Sequence, residues 1–244
     1  MKILCNREQL REGLSIESSV IPSKSTRPAI ENVCLVATEN ALELVGTDLE
    51  VAIRYRIDDV KVAETGTLLV SARVANDFVR DLTEETVTID STSGNCVITS
   101  GGDHAELVTV DSDEFPVVAR FQDENSFPIL AGTFSKQVSR TVFAAAREPG
   151  RYAMHGVLIE VEDSQLRLVA TDGRRLAVTN TLLDCPEGTS KRSIVPTKGL
   201  QPFTRILTDP MARVRIAFDE AQFALKTDNA EIFARLIDGE FPKY

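Results

Sequence analysis

The sequence lacks tryptophan altogether, and its two histidines are too few to supply a typical zinc site. Its four cysteines are scattered, with no C-x-x-C spacing and no neighbouring pair of histidines. No run of about 18 apolar residues occurs that would cross a membrane, and the N-terminus reaches charge at Arg7 and Glu8 before a signal-peptide core could form. We therefore expect a cytoplasmic protein with reduced thiols and without a metal, a disulfide or a cofactor.

The common enzyme motifs are also missing. The sequence contains no G-x-S-x-G, no P-loop and no G-x-G-x-x-G. The remaining candidates for a catalytic role are one pair of carboxylates, Asp48 and Asp172, each preceded by threonine. Two such aspartates could share a proton as in aspartic proteases, but those enzymes resemble D-T-G or D-S-G. We favour a structural role for both aspartates as turn residues that cap their own backbone.

What the sequence does contain is an altered copy of itself. The stretch L-R-L-V-A-T-D-G-R-R-L-A-V at 166–178 resembles L-E-L-V-G-T-D-L-E-V-A-I at 42–53, and a one-residue insertion aligns Ala52 with Ala177. Apolar residues alternate on both sides of each Thr-Asp pair, which predicts two strands joined by a tight turn. Gly173 fits a turn position with positive φ.

The repeat continues beyond this hairpin. V-S-A-R at 70–73 aligns with V-P-T-K at 195–198, and E-F-P recurs at 114–116 and 240–242. The period is about half the chain, so it indicates two domains and not a short solenoid repeat. We predict domain 1 at 1–120 and domain 2 at 121–244, with the acidic, proline-containing segment 111–129 as the crossing between them.

Each copy is rich in alternating, strand-like segments and has two helical ones. The predicted helices are 7–18, 73–82, 135–147 and 198–207. This order predicts the α+β class with antiparallel sheets and two helices per domain.

Charge is distributed unevenly along the chain. The net charge is −10, which argues against general contact with nucleic acid because phosphates are bound by clustered lysine and arginine. The predicted helices, however, are less acidic than the remainder, and the third and fourth are basic. This distribution is typical of a protein that contacts DNA on one chosen face.

A second surface combines charge with apolar area. Arg174 and Arg175 stand beside Leu176, with Met154 earlier in the chain. Such a mixture suits the capture of a peptide, although a solvated strand edge is the simpler interpretation.

Taken together, these segments resemble a known family, the bacterial DNA polymerase III beta subunit or sliding clamp. The segments that carry the resemblance, in the order of the family, are M-K-I-x-C-x-R-E-x-L, V-I-P-S-K-S-T-R-P-A-I, L-V-G-T-D-L-E-V-A-I, V-A-T-D-G-R-R-L-A-V, I-V-P-T-K-G-L and L-I-D-G-E-F-P-K-Y. The resemblance covers residues 1–244. The family has three such domains, so the third is expected to be absent from this chain.

The resemblance implies a non-catalytic processivity factor of DNA replication. Helices would line a ring around double-stranded DNA, with sheets outside, and binding would be independent of sequence. The family pattern places five residues toward DNA: Lys24, Arg73, Arg80, Tyr152 and Lys198. Helix location alone adds five more: Lys136, Arg140, Arg147, Arg151 and Arg205.

The resemblance also implies a pocket for peptide motifs of DNA polymerase III alpha, the clamp loader and other replication proteins. Its residues map to Met154, Thr171, Gly173, Arg174, Arg175, Leu176 and Pro242. The full-length protein would form a homodimeric ring, whereas we expect this chain to be a monomer. The alternatives are a hydrolase that uses Asp48 and Asp172, and a peptide-binding scaffold without DNA.

Overall fold

A computed structural model of the chain describes residues 1–147 and 152–244. The chain divides into two compact units, Met1–Ala119 and Arg120–Tyr244. Unit 1 begins with strand β1 (Lys2–Asn6) and helix α1 (Arg7–Glu17), and its second helix is α2 (Ala72–Asp81). Its other strands are β2 (Asn32–Ala37), β3 (Leu42–Thr47), β4 (Val51–Ile57), β5 (Val60–Glu64), β6 (Gly66–Ser71), β7 (Thr86–Asp90), β8 (Cys96–Ser100), β9 (Asp103–Leu107) and β10 (Thr109–Val110).

Unit 2 has the same kinds of element in the same order. Its helices are α3 (Ala131–Ser139) and α4 (Thr197–Ile206). Its strands are β11 (Ser126–Leu130), β12 (Gly156–Glu162), β13 (Gln165–Thr171), β14 (Leu176–Leu182), β15 (Lys191–Pro196), β16 (Arg213–Phe218), β17 (Gln222–Lys226) and β18 (Ala230–Arg235).

Each unit contains two antiparallel sheets with matching topology. In unit 1 the strand orders are β5-β1-β7-β8-β9 and β10-β6-β2-β3-β4. In unit 2 they are β11-β16-β17-β18 and β15-β12-β13-β14. Without β5 and β10 the two units have the same plan, so the predicted α+β class with a tandem duplication is confirmed.

Three of the four predicted helices agree with α1, α2 and α4 to within one residue at each end. Helix α1 begins after Asn6, whose side chain accepts hydrogen bonds from the backbone of Glu8 and Gln9. It buries Leu10 and Leu14 on one face. Helix α2 begins after Ser71, whose hydroxyl accepts a bond from the Val74 backbone. Local signals therefore sufficed for both helices.

The prediction of a helix at 135–147 is wrong, because α3 begins at Ala131 and ends at Ser139. Its first N–H groups are satisfied by a distant segment: Ala131 donates to the Ala212 carbonyl and Gly132 to the Pro210 carbonyl, at 2.9 and 3.0 Å. At the other end the buried Thr141 hydroxyl donates to the Gln137 carbonyl at 2.9 Å. The chain then forms a short 3-10 helix, Val142–Ala144. The predicted crossing segment 111–129 also extends too far, since β11 begins at Ser126.

An aromatic cluster forms much of the core of unit 2. Phe134 of α3, Phe203 of α4 and Phe223 of β17 are fully buried, with ring centroids 5.7 to 6.2 Å apart. Phe218 meets Phe223 edge to face at 5.2 Å. Such ring pairs add about 0.5–1.5 kcal/mol each beyond the area that they bury. This packing fixes both helices of unit 2 on one sheet, with their polar faces in solvent.

The longest helix among residues 1–147 and 152–244, α1, is far too short to span a bilayer, and none of the described helices qualifies as a membrane span.

A buried carboxylate lies against strands β3 and β4 of unit 1. Glu17 at the end of α1 has no exposed surface. Burial raises the pKa of Glu17 well above its usual 4.5, and the nearby charge of Arg54 offsets this only in part. Arg54 is itself held by Glu43, at 3.2 Å, and donates to the carbonyls of Val118 and Ala119.

The raised pKa predicts a specific pH dependence of stability. Because the pKa of Glu17 is higher in the folded chain than in the unfolded one, ionisation favours unfolding as pH rises above 4.5. The Glu17→Gln variant should gain stability relative to the parent as the pH rises above 4.5, because glutamine cannot ionise. The gain should reach about 1 kcal/mol or more at neutral pH. Calorimetry from about pH 4 to pH 8 measures this, with Glu12→Gln on the exposed face of α1 as the control for lost charge. Parallel stability curves for the Glu17 variant and the parent would contradict the prediction.

Candidate nucleic-acid interface and peptide pocket

The hairpin turn between β13 and β14 is built by two side chains. The Thr171 hydroxyl donates to the Arg175 carbonyl at 2.7 Å and accepts from the Gly173 N–H at 3.0 Å. The Asp172 carboxylate accepts the N–H groups of Arg174 and Arg175 at 2.9 and 3.0 Å. These backbone donors, Arg174 first, lower the pKa of Asp172. Four hydrogen bonds thus fix the turn that carries most of the predicted pocket.

Unit 1 contains the same turn between β3 and β4. Thr47 bonds to the Val51 carbonyl and the Leu49 N–H, and Asp48 accepts the N–H groups of Glu50 and Val51, all within 2.8 to 3.0 Å. Both aspartates are therefore structural turn residues, and the hydrolase alternative has no support.

The two turns also have the same length. Thr47 lies opposite Ala52, as Thr171 lies opposite Leu176, so the insertion predicted between Asp48 and Ala52 is wrong. The structural counterparts of Arg174, Arg175 and Leu176 are Glu50, Val51 and Ala52. The same backbone carries different surfaces in the two units.

The two turns differ in backbone strain at one position. Leu49 has a φ of 77° and its counterpart Gly173 has a φ of 85°. A side chain in this left-handed region costs about 1–2 kcal/mol, whereas glycine adopts it freely.

We therefore expect opposite effects from exchanging the residue types. Leu49→Gly should stabilise the chain by up to about 1 kcal/mol, since relief of strain outweighs the added freedom of the unfolded chain. Gly173→Ala should destabilise it by about 1 kcal/mol or more. Urea unfolding of both variants measures the two effects, and equal signs would contradict the assignment.

Most predicted pocket residues meet at this turn. Leu176 begins β14 and is 51% exposed, and Val178 lies on the same face at 43%. Thr171, which pairs with Leu176 across the two strands, is buried. Met154 lies in a 3-10 helix, Tyr152–His155, and its carbonyl accepts the Ala146 N–H at 2.8 Å.

Pro242 belongs to the C-terminal segment that follows β18. The preceding residue, Phe241, is buried against Leu158 and Val169. Val169 pairs with Val178 across β13 and β14. The segment that contains Pro242 therefore packs on the sheet that carries the turn.

Sequence reasoning missed one residue beside this turn. The ring of Phe143, in the 3-10 helix after α3, is 52% exposed and lies 5.8 Å from the Arg175 guanidinium carbon. The predicted continuation of the third helix placed Phe143 within helix 135–147 and concealed this neighbour.

The cations predicted to face DNA lie mainly on the solvent side of the helices. On α2, Arg73 is 90% exposed, but Asp77 lies between Arg73 and Arg80 and approaches them at 3.9 and 2.9 Å. Asp81 adds a second partner for Arg80 at 3.2 Å, and its hydrogen bond is the first cause of the raised Arg80 pKa. The basic face of α2 is thus largely neutralised by its own carboxylates.

The helices of unit 2 differ. Lys136 of α3, the following Arg140, and Arg205 of α4 are exposed and form no ion pair with a carboxylate within 1–147 and 152–244. Lys198, also exposed, begins the same face of α4.

Two other predicted cations, Lys24 and Arg147, do not lie on helices. Lys24 is exposed in the loop after α1, and Arg147 is exposed beyond the end of α3, so its predicted helical position is wrong. Arg151 lies outside the described residues. Tyr152 belongs to a 3-10 helix, but its side chain also lies outside the described part of the chain.

No cluster of metal-ligating side chains forms in the described parts of the two units. Burial raises the pKa of the Cys5 thiol to about 12, which makes it a poor nucleophile. What the geometry offers is a duplicated scaffold with one charged helix face and one charged, apolar hairpin. These features are those of a clamp-type binding protein.

Two family profiles match the chain. The N-terminal domain of the DNA polymerase III beta subunit matches residues 1–119, and the central domain of the same subunit matches residues 129–243. The beta sliding clamp of Pseudomonas aeruginosa is 31% identical over 245 residues, which cover all of this chain and 67% of that protein. The Bacillus subtilis clamp is 28% identical over 250 residues, with 99% and 66% covered.

Solved structures give the same result. The Bacillus subtilis clamp superposes with a TM-score of 0.96, and the Pseudomonas aeruginosa clamp bound to griselimycin with 0.94, each over all of this chain and 66% of the other. The chain belongs to the DNA polymerase III beta subunit family, the beta sliding clamps, so the predicted resemblance is confirmed. It serves DNA replication as a non-catalytic clamp, and it spans about two thirds of the length of these relatives.

Proposed function

We propose that the two units are the first and second domains of a ring that closes around duplex DNA, with their helices toward the phosphates. The observation that carries this proposal is the set of exposed cations on the solvent faces of α3 and α4, in a chain whose net charge is −10. Long side chains that reach phosphates give binding without base readout. The ten residues for this role are those predicted from the sequence: Lys24, Arg73, Arg80, Lys136, Arg140, Arg147, Arg151, Tyr152, Lys198 and Arg205.

Removal of two phosphate contacts on α4 should weaken DNA binding in a salt-dependent way. We expect the double variant Lys198→Ala, Arg205→Ala to make the slope of log affinity against log salt shallower by about two units. Anisotropy of a labelled duplex measures the slope. The matched control is Lys191→Ala with Arg213→Ala, two exposed strand cations. Tight binding by the parent that is insensitive to salt would overturn the proposed DNA face, and no binding at all would favour the DNA-free scaffold.

The carboxylates of α2 should oppose the same interaction. Asp77→Asn frees Arg73 and Arg80 from their shared partner and removes a negative charge from the face. We expect duplex affinity to rise about two- to fivefold at low salt and the gain to vanish at high salt. Asp228→Asn, in the exposed turn between β17 and β18, is the control. Equal gains from both variants would mean that general charge, and not this face, determines the effect.

The second part of the proposal is the peptide pocket. Leu176, Met154 and Pro242 supply apolar contact, Arg174 and Arg175 can meet a carboxylate, and Thr171 with Gly173 fixes the turn. The ligands would be short motifs of DNA polymerase III alpha, clamp-loader subunits and other replication proteins. The structure of the Pseudomonas aeruginosa clamp with griselimycin supplies a probe for this chain.

We expect griselimycin to bind this chain weakly and to shift backbone NMR signals of the β13–β14 turn. Leu176→Ala should reduce affinity about tenfold, because the side chain is a large exposed apolar contact. Leu182→Ala, in the same strand and 79% exposed, should not. Shifts confined to unit 1 would refute the assignment of the pocket.

Ring closure is proposed to use two strand edges. β9 is the last strand of its sheet in unit 1, and β14 is the last strand of its sheet in unit 2. Such edges can pair with further clamp-type domains. In the proposed homodimeric ring each subunit contributes three domains.

For the chain of 244 residues alone we expect a monomer of 26.8 kDa, because a net charge of −10 opposes association of identical copies. Light scattering on a sizing column measures the mass. A stable species of three chains would instead indicate a ring built from three two-domain subunits.

A further inference from the structure

The exposed aromatic ring of Phe143 is unexplained by the core of unit 2. The residue lies in the 3-10 helix Val142–Ala144 and is 52% exposed, whereas the neighbouring Ala144 is fully buried. It occupies this place because the buried Thr141 hydroxyl binds the Gln137 carbonyl where α3 ends. A continued helix would have sent the ring elsewhere. The departure from regular structure therefore presents Phe143 to the β13–β14 turn.

The ring contacts one particular partner there. The guanidinium carbon of Arg175 lies 5.8 Å from the ring centroid, within the range of a cation–π contact. The Nε of the same arginine lies 3.0 Å from the second carboxylate oxygen of Asp172. Arg175 is thus held both by a ring and by a carboxylate. Among residues 1–147 and 152–244, Arg175 forms no ion pair with a carboxylate other than Asp172.

The duplicated turn indicates that the fold does not require this arginine. In unit 1 the counterpart of Arg175 is Val51, which is 1% exposed, although the four turn hydrogen bonds are the same. The counterpart of Arg174 is Glu50, so the charge is reversed there. Unit 2 therefore carries two cations on a turn whose hydrogen bonds form without them in unit 1.

We propose that Phe143 is a positioning residue of the peptide pocket, whose ring holds the Arg175 guanidinium so that it selects a carboxylate on the incoming peptide. This inference rests on the proposed function of the pocket. The ligand class is an acidic peptide segment with an adjacent apolar side chain, because Leu176 and Val178 offer exposed apolar area beside the arginine. A guanidinium held in one plane loses less freedom when it binds a carboxylate.

The test uses two labelled peptides that differ only in one aspartate or asparagine next to the same apolar residues. The parent chain should prefer the aspartate peptide. Phe143→Leu, which keeps apolar bulk but loses the ring, should reduce that preference about threefold or more, and Phe143→Tyr should restore it. Arg175→Ala should abolish the preference, and Phe143→Leu should add nothing further in that background. Met211→Ala, an exposed apolar residue outside the pocket, is the control.

The outcomes separate the two proposals. If the parent binds neither peptide, the pocket proposal fails and the role of Phe143 with it. If the parent binds and Arg175→Ala loses the preference while Phe143→Leu retains it, only the positioning role is overturned. Equal losses from Phe143→Leu and Phe143→Tyr would likewise overturn it, since a tyrosine ring preserves the contact with the guanidinium.

Discussion

The hydrogen bonds of the Thr-Asp turn are the constraint on which the rest of this structure depends. In each unit one threonine and one aspartate satisfy the four backbone groups of a tight turn, and this closure fixes the register of the central hairpin. A slip of one residue would move buried side chains to the opposite face. Register in turn decides which residues of β14 reach solvent, and Leu176 and Val178 do so. The surface of the proposed pocket is therefore a consequence of turn chemistry.

A comparison of the two copies distinguishes the residues that the fold requires from those that determine the surface. Both copies retain the threonine, the aspartate and the positive φ, and unit 1 tolerates a leucine where unit 2 has glycine. The residues that follow differ between the copies, although the hydrogen bonds to their backbone are the same. Glu50 and Arg174 occupy the same position of the turn and carry opposite charges. Two hairpins with the same backbone therefore present an acidic turn in unit 1 and a basic turn in unit 2. Such differences between the copies are a guide to function.

Much of this organisation could be predicted from the sequence, because its causes are local. Alternation of apolar residues gave the strands around each turn, and caps such as Asn6 fixed helix starts. The third helix could not be predicted, since its first N–H groups are satisfied by carbonyls about 80 residues away and its end depends on one buried hydroxyl. Phe143 was missed for the same reason. The lysines and arginines were identified by type and position, but their carboxylate neighbours, such as Asp77 between two arginines, required the three-dimensional helix face.

Charge pairing on α2 bears on how a clamp can be mobile. Exposed ion pairs contribute little to stability, so Asp77 and Asp81 are not needed to hold α2 in place. Their effect is on the field outside the helix, which they reduce at two arginines. For a protein held on DNA by affinity alone, a longer residence time means slower movement, because each phosphate contact must break before the protein can move. A closed ring obtains residence from its topology. In the proposed ring, weak, partly neutralised cations on a chain of charge −10 would be an advantage, since they would guide the duplex without fixing the ring to any one set of phosphates.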